Sequence, residues 1–314
     1  MKKALYFVVG IMAILSFSLV AAQSGLPGAG WESGQQIQNI GSGPANIIFT
    51  AYGTDGTSYD CGTSSGVAIG ASVNVQTANC TGVSAGFVGS AVVSADQEIA
   101  AIVNVNNRTV STAAGQYKGT DGASTATTVN FPLVKADFAG RTTTFYVQNA
   151  GSTAADITAT FNTGPLNGAT TTRSHTYSAV PANSMVVVSA ADASVPAGEL
   201  GSLTVSSANA LAGSSLEHET TATSGSNLQA SRGFTPADEA TTVYCPLYRK
   251  SHTPNGFSTG AQVQNVGSGP TDVTFTFGSY SDTQTVDAGK SFTFFAGSIA
   301  GIANGSVGSA SITS

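Results

Sequence analysis

Hydrophobic and polar residues alternate in short segments along most of this chain. In the segment ADITATF, Ile157, Ala159 and Phe161 alternate with Thr158 and Thr160. This period of two predicts a β-strand with one buried face and one solvated face. No comparable stretch has apolar residues at the spacing of a helix, so the pattern predicts an all-β protein.

Seven such segments lie between residues 127 and 219, and clusters of Gly, Pro, Asn and Asp separate them. They are TTVNFPLV from Thr127, TTTFYVQNA from Thr142, ADITATFNT from Ala155, RSHTYSAV from Arg173, SMVVVSAA from Ser184, GSLTVSS from Gly201 and LAGSSLEHE from Leu211. Seven short strands in roughly 110 residues are what a two-sheet sandwich needs, because each sheet buries one face against the other.

One phrase of this unit occurs three times. IQNIGSGPANIIFTAYG begins at Ile37, VQNAGSTAADITATFNT at Val147 and VQNVGSGPTDVTFTFGS at Val263. The spacing is about 110 residues each time, the size of a small domain. We therefore predict three β-sandwich units, over 23–122, 123–236 and 237–314, after an N-terminal signal over 1–22.

The repeated phrase contains an Asn followed two residues later by a Gly, between the end of one strand and the start of the next. We interpret it as a corner of the sandwich, in which the Asn side chain caps a turn and the Gly adopts positive φ. The predicted corner asparagines are Asn39, Asn149 and Asn265, and the corner glycines are Gly41, Gly151 and Gly267.

The corner motif and a second corner, VDAGKS from Val286, resemble the bacterial immunoglobulin-like repeats of secreted and cell-surface proteins, including the cell-adhesion-related type. The resemblance covers nearly the whole chain after residue 22. It implies three tandem immunoglobulin-like β-sandwiches, the third incomplete, and residence outside the cell or on its surface. It brings no catalytic residues.

The N-terminal segment has the pattern of a secretory signal. Lys2 and Lys3 precede an apolar stretch over 4–20, and the small residues over 20–22 form a cleavage site. We expect cleavage before Gln23 and an exported protein, the alternative being an uncleaved anchor.

In an oxidising compartment the three cysteines of this chain can form disulfides. Cys61 and Cys80 flank one Gly/Ser-rich excursion of the first unit and are predicted to form a disulfide. Cys245 is left without a partner, and we interpret it as a buried residue of a strand, the alternative being an intermolecular disulfide.

Composition and charge limit the classes of molecule that this chain can bind. Charged residues make up 9% of the chain, the net charge is −6 and the pI is near 4.9. No basic patch exists to neutralise phosphates, which argues against nucleic acid or an anionic membrane surface. The predicted partner is a cell-surface or extracellular polymer, or a second copy, without membrane insertion after signal cleavage.

Candidate catalytic patterns are weak. GTSSG over 62–66 matches Gly-x-Ser-x-Gly, but no helix-forming stretch follows Ser64 to form a nucleophile elbow. His218 lies between Glu217 and Glu219, yet neighbouring strand residues point to opposite faces and cannot share a metal. We predict no enzyme activity, no metal and no cofactor.

Exposed aromatic residues are the remaining candidates for a ligand-binding site. Trp31, Tyr52 and Tyr59 would suit sugar stacking if they lay together. Alternatively, Trp31 covers the end of its own unit, as Phe257 would at the corresponding place in the third. The predicted function is a structural or adhesive role, and the alternative is a carbohydrate-binding or accessory module of a secreted enzyme system.

The third unit is predicted to be incomplete. The first continues into an alternating strand over 98–106, whereas the third stops at GSASITS. Likewise, no counterpart of TTVNFPLV precedes Trp31. We expect an unpaired sheet edge and an uncovered apolar face around Phe275, Phe277 and Phe294, either because the reading frame is truncated or because a neighbour supplies the strand.

Overall fold

The computed structural model describes residues 25–107, 113–165, 167, 171–219, 228–253 and 256–314. Within these residues the chain forms twenty strands in antiparallel sheets and four single-turn 3-10 helices, over Thr77–Asn79, Gly122–Ser124, Pro236–Asp238 and Ala296–Ser298. The all-β prediction is confirmed. None of the helices in the described part is long and apolar enough to cross a membrane. The predicted signal over 1–22 lies outside the described residues.

The strands follow one another in three groups. The N-terminal group contains β1 (Trp31–Asn39), β2 (Ala45–Gly53), β3 (Ser58–Val67), β4 (Ser72–Gln76), β5 (Gly89–Ala95), β6 (Ile99–Asn107) and β7 (Ala114–Lys118). The central group contains β8 (Ala126–Ala136), β9 (Arg141–Asn149), β10 (Ala155–Gly164), β11 (Thr171–Val180), β12 (Met185–Val188), β13 (Glu199–Glu219) and β14 (Leu228–Arg232). The C-terminal group contains β15 (Thr242–Arg249), β16 (Gly260–Gln264), β17 (Thr271–Phe277), β18 (Tyr280–Val286), β19 (Ser291–Phe295) and β20 (Val307–Thr313).

The central group is organised by β13, a strand of 21 residues. Its first half pairs with β8 and β10, and its second half pairs with β9 and β14. β11 extends the first of these sheets beyond β10, and β12 extends the second beyond β9. The two sheets therefore share one continuous strand.

The alternation of apolar and polar residues along the strands explains the core between these two sheets. Ile157, Ala159 and Phe161 are all 0% exposed, as the sequence pattern predicts, while Thr158 and Thr160 face outward. The inward residues join one apolar cluster, which includes Val129, Phe131, Phe145, Val147, Leu203, Val205 and Leu211. The result is β-sandwich-like packing.

The N-terminal group has a similar strand order, with sheets β3-β2-β5 and β4-β1-β6-β7. β5 pairs with β2 as the first half of β13 pairs with β10, and β6 pairs with β1 as the second half pairs with β9. A counterpart of β8 is missing from the described residues, so β5 pairs with β2 alone. The core clusters around Ile37, Ile47 and Phe49.

The C-terminal group has sheets β15-β20-β17-β18 and β16-β19. β15 and β20 correspond to β8 and the first half of β13, because β20 pairs with both β15 and β17. Among the described residues β16 pairs with β19 alone, which agrees with the predicted unpaired edge. Within the part of the chain that the structure describes, each outer group thus has fewer strands than the central group.

Two details differ from the predicted strands. The segments from Gly201 and Leu211 form one strand, β13, which continues from the first sheet into the second. In addition, β7 and β14 were not predicted. Their sequences, AGQYK and LQASR, are short and polar, so they carry too few alternating apolar residues to stand out.

The groups contact one another directly. A fourth apolar cluster, with Val105 from β6 and Leu216 and Leu228 from the central group, lies between the N-terminal and central groups. At the other boundary, the Ser202 hydroxyl donates to the Gly289 carbonyl at 2.7 Å and the Gln264 amide donates to the Thr204 hydroxyl at 3.1 Å.

The two ends of the central group are also joined. The Asn130 N–H donates to the Phe234 carbonyl at 2.7 Å, and the Phe234 N–H donates to the Asn130 carbonyl at 2.9 Å. The Asn130 side-chain amide donates to Glu239 at 3.3 Å. We call the Asn130–Phe234 pair the clasp, because it ties the opening strand β8 to the segment that follows β14.

Candidate functional site

The corner asparagines form the same structure in all three groups. The Asn149 side chain accepts from the Gly151 N–H at 3.0 Å and donates to the Thr153 and Val180 carbonyls at 2.8 and 2.9 Å. Asn39 and Asn265 make the matching bonds at 2.8–2.9 Å, with Gly41, Gly43 and Val67 and with Gly267, Gly269 and Val286 respectively.

Each corner asparagine is buried, with 0%, 0% and 7% exposure along the chain. The backbone of Asn149 also bonds the turn before β12, through the Ser184 carbonyl at 2.9 Å and the Asn183 N–H at 2.8 Å. The corner therefore ties three chain segments together rather than capping one turn. A buried side-chain amide does not destabilise the fold when its N–H and C=O groups are hydrogen-bonded, as they are here.

The predicted positive φ of the corner glycines is wrong. Gly41, Gly151 and Gly267 do not adopt positive φ. At two of these positions a neighbouring side chain leaves no room for a Cβ atom. A Cβ on Gly151 would lie 2.6 Å from the Asn209 side chain, and a Cβ on Gly41 would lie 2.8 Å from Gln97. Sequence reasoning missed Asn209 and Gln97, because nothing in their spacing links them to the corner phrase.

The predicted disulfide between Cys61 and Cys80 is confirmed. It joins β3 to the turn after the first 3-10 helix, and Cys80 is part of the N-terminal core. Cys245 is free, and it packs partly buried against the C-terminal core. Burial raises the pKa of its thiol.

Hydroxyl groups line several outward faces of the sheets. The Thr158 and Thr176 hydroxyls lie 3.0 Å apart on the central group, and those of Thr274 and Thr283 lie 2.8 Å apart on the C-terminal group. Each hydroxyl can both donate and accept. These faces therefore carry uncharged hydrogen-bonding groups.

The three predicted stacking aromatics do not form a platform. Tyr59 lies opposite Ala51 in the ladder and packs inward on Phe87, with ring centres 5.4 Å apart. Tyr52 is next to Ala51 and so points to the opposite face of the sheet. Trp31 joins the cluster between the N-terminal and central groups. The structure therefore does not bring these three side chains together on one surface.

Trp31 and Phe257 are not equivalent. The indole N–H of Trp31 donates to the Pro27 carbonyl at 2.8 Å, and the ring is partly buried between two groups. Phe257 is 53% exposed, and the Arg249 guanidinium lies 5.1 Å from its ring centre. Neither residue covers the end of its own unit in the way that the sequence suggested.

His218 lies in the boundary between the N-terminal and central groups, where it is 6% exposed. Its Nδ1 donates to the Glu219 carbonyl at 2.9 Å, and its Nε2 lies 3.1 Å from the Thr144 hydroxyl. Burial lowers the pKa of this imidazole, although Glu219 and Glu217 act in the opposite direction. The ring is therefore kept neutral by desolvation.

Glu217 points to the opposite face of β13, as the alternation predicts. Its carboxylate bonds Lys135 and Arg141, each at 3.0 Å, at one end of the central core. These partners are far apart in sequence, so the cluster gives no sequence signal. Among the residues that the structure describes, no group of three His, Cys, Asp or Glu side chains could hold a metal ion.

Ser64 lies within β3, opposite Ile47 of β2. β3 is at the edge of its sheet, and a strand continues on both sides of Ser64. The GTSSG segment is therefore part of a ladder and lacks the strand-to-helix turn that exposes a hydrolase nucleophile.

The predicted uncovered face around Phe275, Phe277 and Phe294 is wrong for two of the three residues. Phe275 and Phe294 are 0% and 2% exposed, and Phe277 is partly buried. Tyr248 from β15 packs 4.8 Å from the Phe275 ring, which in turn stacks on Phe294 at 4.9 Å. Aromatic packing within the group fills this part of the core.

Comparison of the chain with protein-family models and with curated protein sequences finds no match.

Proposed function

We propose that this protein is a secreted or cell-surface protein of three tandem immunoglobulin-like β-sandwiches with a structural or adhesive role and no catalytic activity. The observation that carries the proposal is the threefold recurrence of the buried corner asparagine, each time between matching strands. A chain that repeats one scaffold in this way presents similar surfaces at regular intervals.

The contacts between groups support a structural role. The apolar cluster around Leu216 joins the first two groups, and hydrogen bonds around Gly289 join the last two. The Asn167 amide donates to the Thr293 carbonyl at 2.7 Å and its carbonyl accepts from the Thr293 N–H at 2.8 Å. Such contacts hold neighbouring units at a fixed angle, which suits a spacer or scaffold.

The outward faces support an adhesive role. Hydroxyl pairs such as Thr158–Thr176 are neutral, so they contact polar polymers without the salt dependence of charged surfaces. The carbohydrate-binding alternative depended on Trp31, Tyr52 and Tyr59 acting together, and these residues lie apart. We therefore do not propose it as a second function.

Export and adhesion can be tested together. We expect a bacterial host that expresses residues 1–314 to release or display the chain after removal of the N-terminal signal, as detected by fractionation and mass spectrometry. Beads coated with the purified protein should adhere to cell-surface or extracellular polymer, or to one another. Retention in the cytoplasm, or the same adhesion by uncoated beads, would contradict the proposal.

A matched pair of surface variants tests which faces adhere. Thr158→Lys places a charge on an outward hydroxyl face and should reduce adhesion. Asn74→Lys changes an exposed residue of β4 outside these faces and serves as the control. Equal adhesion by both variants would remove the hydroxyl faces from the proposal.

A further inference from the structure

A short segment before β1 lies in the boundary between the N-terminal and central groups. It covers residues 25–30 and has the sequence GLPGAG. The Thr144 hydroxyl of β9 donates to the Gly25 carbonyl at 2.8 Å, and the Asn107 side-chain amide of β6 donates to the Ala29 carbonyl at 3.0 Å. Because this segment is bonded to both groups, we call it the strap.

The strap packs closely against the central group. Gly25 has a φ of +71°, and a Cβ at this position would lie 2.5 Å from the Thr144 side chain and 2.8 Å from that of Val187. Glycine is suited to such a close approach of the backbone at positive φ. Leu26 joins the apolar cluster around Leu216, which lies between the two groups. The first residues of the strap are therefore seated on the central group.

His218 lies beside the first residue of the strap. Its Nε2 is 3.1 Å from the Thr144 hydroxyl, the same hydroxyl that donates to Gly25. Residues two apart in a strand share a face, so His218 and Leu216 both face the boundary. Thr142 of β9 and Leu228 of β14 pair with His218 on its two sides. The imidazole is thus covered by two hydrogen-bonded strands and by the strap.

The surroundings of His218 offer little compensation for a positive charge. The elements packed around it carry these titratable residues: Glu217 and Glu219 on β13, Arg141 and Tyr146 on β9, Arg232 on β14, Glu32 on β1, and Tyr117 and Lys118 on β7. Glu217 points to the opposite face of β13, where two basic side chains bond its carboxylate. Burial raises the pKa of Tyr117 and of Tyr146, so both are neutral. Among the described residues, no carboxylate oxygen is hydrogen-bonded to the ring of His218.

Protonation of His218 has two opposing effects. It gives Nε2 a proton that the Thr144 oxygen can accept, which leaves the Thr144 proton to the Gly25 carbonyl. It also places a charge in a buried boundary, and this desolvation costs more than one hydrogen bond returns. Burial is the larger effect, and it lowers the pKa of His218. The closed boundary therefore binds the proton less tightly than an open one.

The strap is the part of this cover that can leave at the lowest cost. β9 and β14 are joined to β13 by continuous ladders of backbone hydrogen bonds. The strap is held to the two groups by single hydrogen bonds from Thr144 and Asn107. Segments with few backbone bonds open locally before the strands of a sheet separate. Lifting the strap admits water to the imidazole while both ladders stay intact.

We propose that the strap is a pH-sensitive fastening, which closes the boundary between the N-terminal and central groups while His218 is neutral and is released when His218 is protonated. The apolar cores of the two groups, around Ile37 and Phe161, are separate from the boundary, so both groups stay folded after release. The hydrogen bonds from Ser202 and Gln264 at the other boundary of the central group join uncharged residues and do not respond to acid.

The test measures how often the strap opens. In a chain that carries Leu26→Cys and Cys245→Ser, the single free thiol lies in the strap. Its reaction with a dithiodipyridine, divided by the rate of the free peptide GCPGAG at the same pH, gives the opening constant. We expect this ratio to rise at least about threefold from about pH 7.5 to about pH 5.5, because opening takes up one proton. Far-UV circular dichroism should stay constant over the same range.

Two histidine variants form a matched control. His218→Gln keeps a neutral hydrogen-bonding side chain and should abolish the rise in the ratio. His175→Gln changes a histidine of β11, outside the boundary, and should leave the ratio at each pH within about twofold of the unaltered value. Gly25→Ala crowds Thr144 and should raise the ratio at least about threefold at every pH.

Three outcomes would overturn the proposal. They are a ratio that is the same at both pH values, a rise that persists in His218→Gln, and a loss of the dichroism signal in parallel with the rise. The last result would mean that acid unfolds a group and does not lift the strap alone. Export and bead adhesion are measured separately, so failure here leaves the proposed structural or adhesive role standing.

Discussion

The central and C-terminal groups contain the same corner in different surroundings. Asn149 and Asn265 make matching hydrogen bonds, and both side chains are buried. Above the corner, however, Val129 is 0% exposed and its counterpart Val243 is 45% exposed. The comparison teaches that the same corner forms wherever the phrase recurs, whereas burial of the strand beside it depends on a segment much later in the chain.

The largest expected effect tests whether the corners are equivalent. Asn149→Ala leaves the Gly151 N–H and the carbonyls of Thr153 and Val180 without their partner and should destabilise the central group by about 3 kcal/mol. Asn265→Ala should cost the C-terminal group the same within about 1 kcal/mol. Hydrogen exchange with mass spectrometry resolves the two groups in one chain.

The control for this pair is Asn74→Ala, which changes an exposed asparagine and should have an effect below about 0.5 kcal/mol. A loss confined to the Asn149 variant would show that the C-terminal corner is not an independent unit, and the comparison would fail.

The next largest expected effect tests the difference in burial between Val129 and Val243. Val129→Ala removes two methyl groups from a closed core and should destabilise the central group by about 2 kcal/mol. Val243→Ala removes them from a side chain already half exposed and should cost less than about 0.5 kcal/mol. Urea unfolding of both variants gives the two values, and equal losses would mean that Val243 is covered in solution.

A smaller difference is expected at the corner glycines. Gly151→Ala forces the Asn209 side chain away from its bonds with Asn149 and Thr153 and should cost about 1 kcal/mol. Gly267→Ala meets only Asn265 and should cost less than about 0.5 kcal/mol. The midpoint of thermal unfolding measures both, and a larger loss at Gly267 would contradict the close-approach explanation.

The smallest effect concerns the boundary of the central group with the N-terminal group. The pKa of His218 is lowered by burial, whereas in the unfolded chain it is near 6.5. Below about pH 6.5 the unfolded state therefore binds the additional proton, and stability falls as the pH falls until the folded imidazole is also protonated. Unfolding midpoints from pH 7.5 to 5 should show this slope, and His218→Gln should reduce it.

Much of this structure could be predicted from sequence, where alternation and turn residues were strong. The strands of the central group, the corner at Asn149 and the disulfide between Cys61 and Cys80 all depend on local patterns. A buried strand of alternating Ile, Ala and Phe allows few other arrangements.

The remainder depended on contacts between distant residues. The crowding of Gly151 by Asn209, the pairing of Glu217 with Lys135, and the position of Trp31 between two groups have no local signal. Tyr52 and Tyr59 were placed together by sequence proximity alone, and the pleat of the strands separates them.

The clasp between Asn130 and Phe234 determines how the chain responds to tension. Because the opening strand and the exit segment of the central group are bonded to each other, the chain enters and leaves this group at one place. A pulling force on the two ends of the central group acts on these two hydrogen bonds and on the pairing of the first residues of β8 with β13. Single-molecule stretching should therefore show an early release at the clasp before the rest of the central group unfolds.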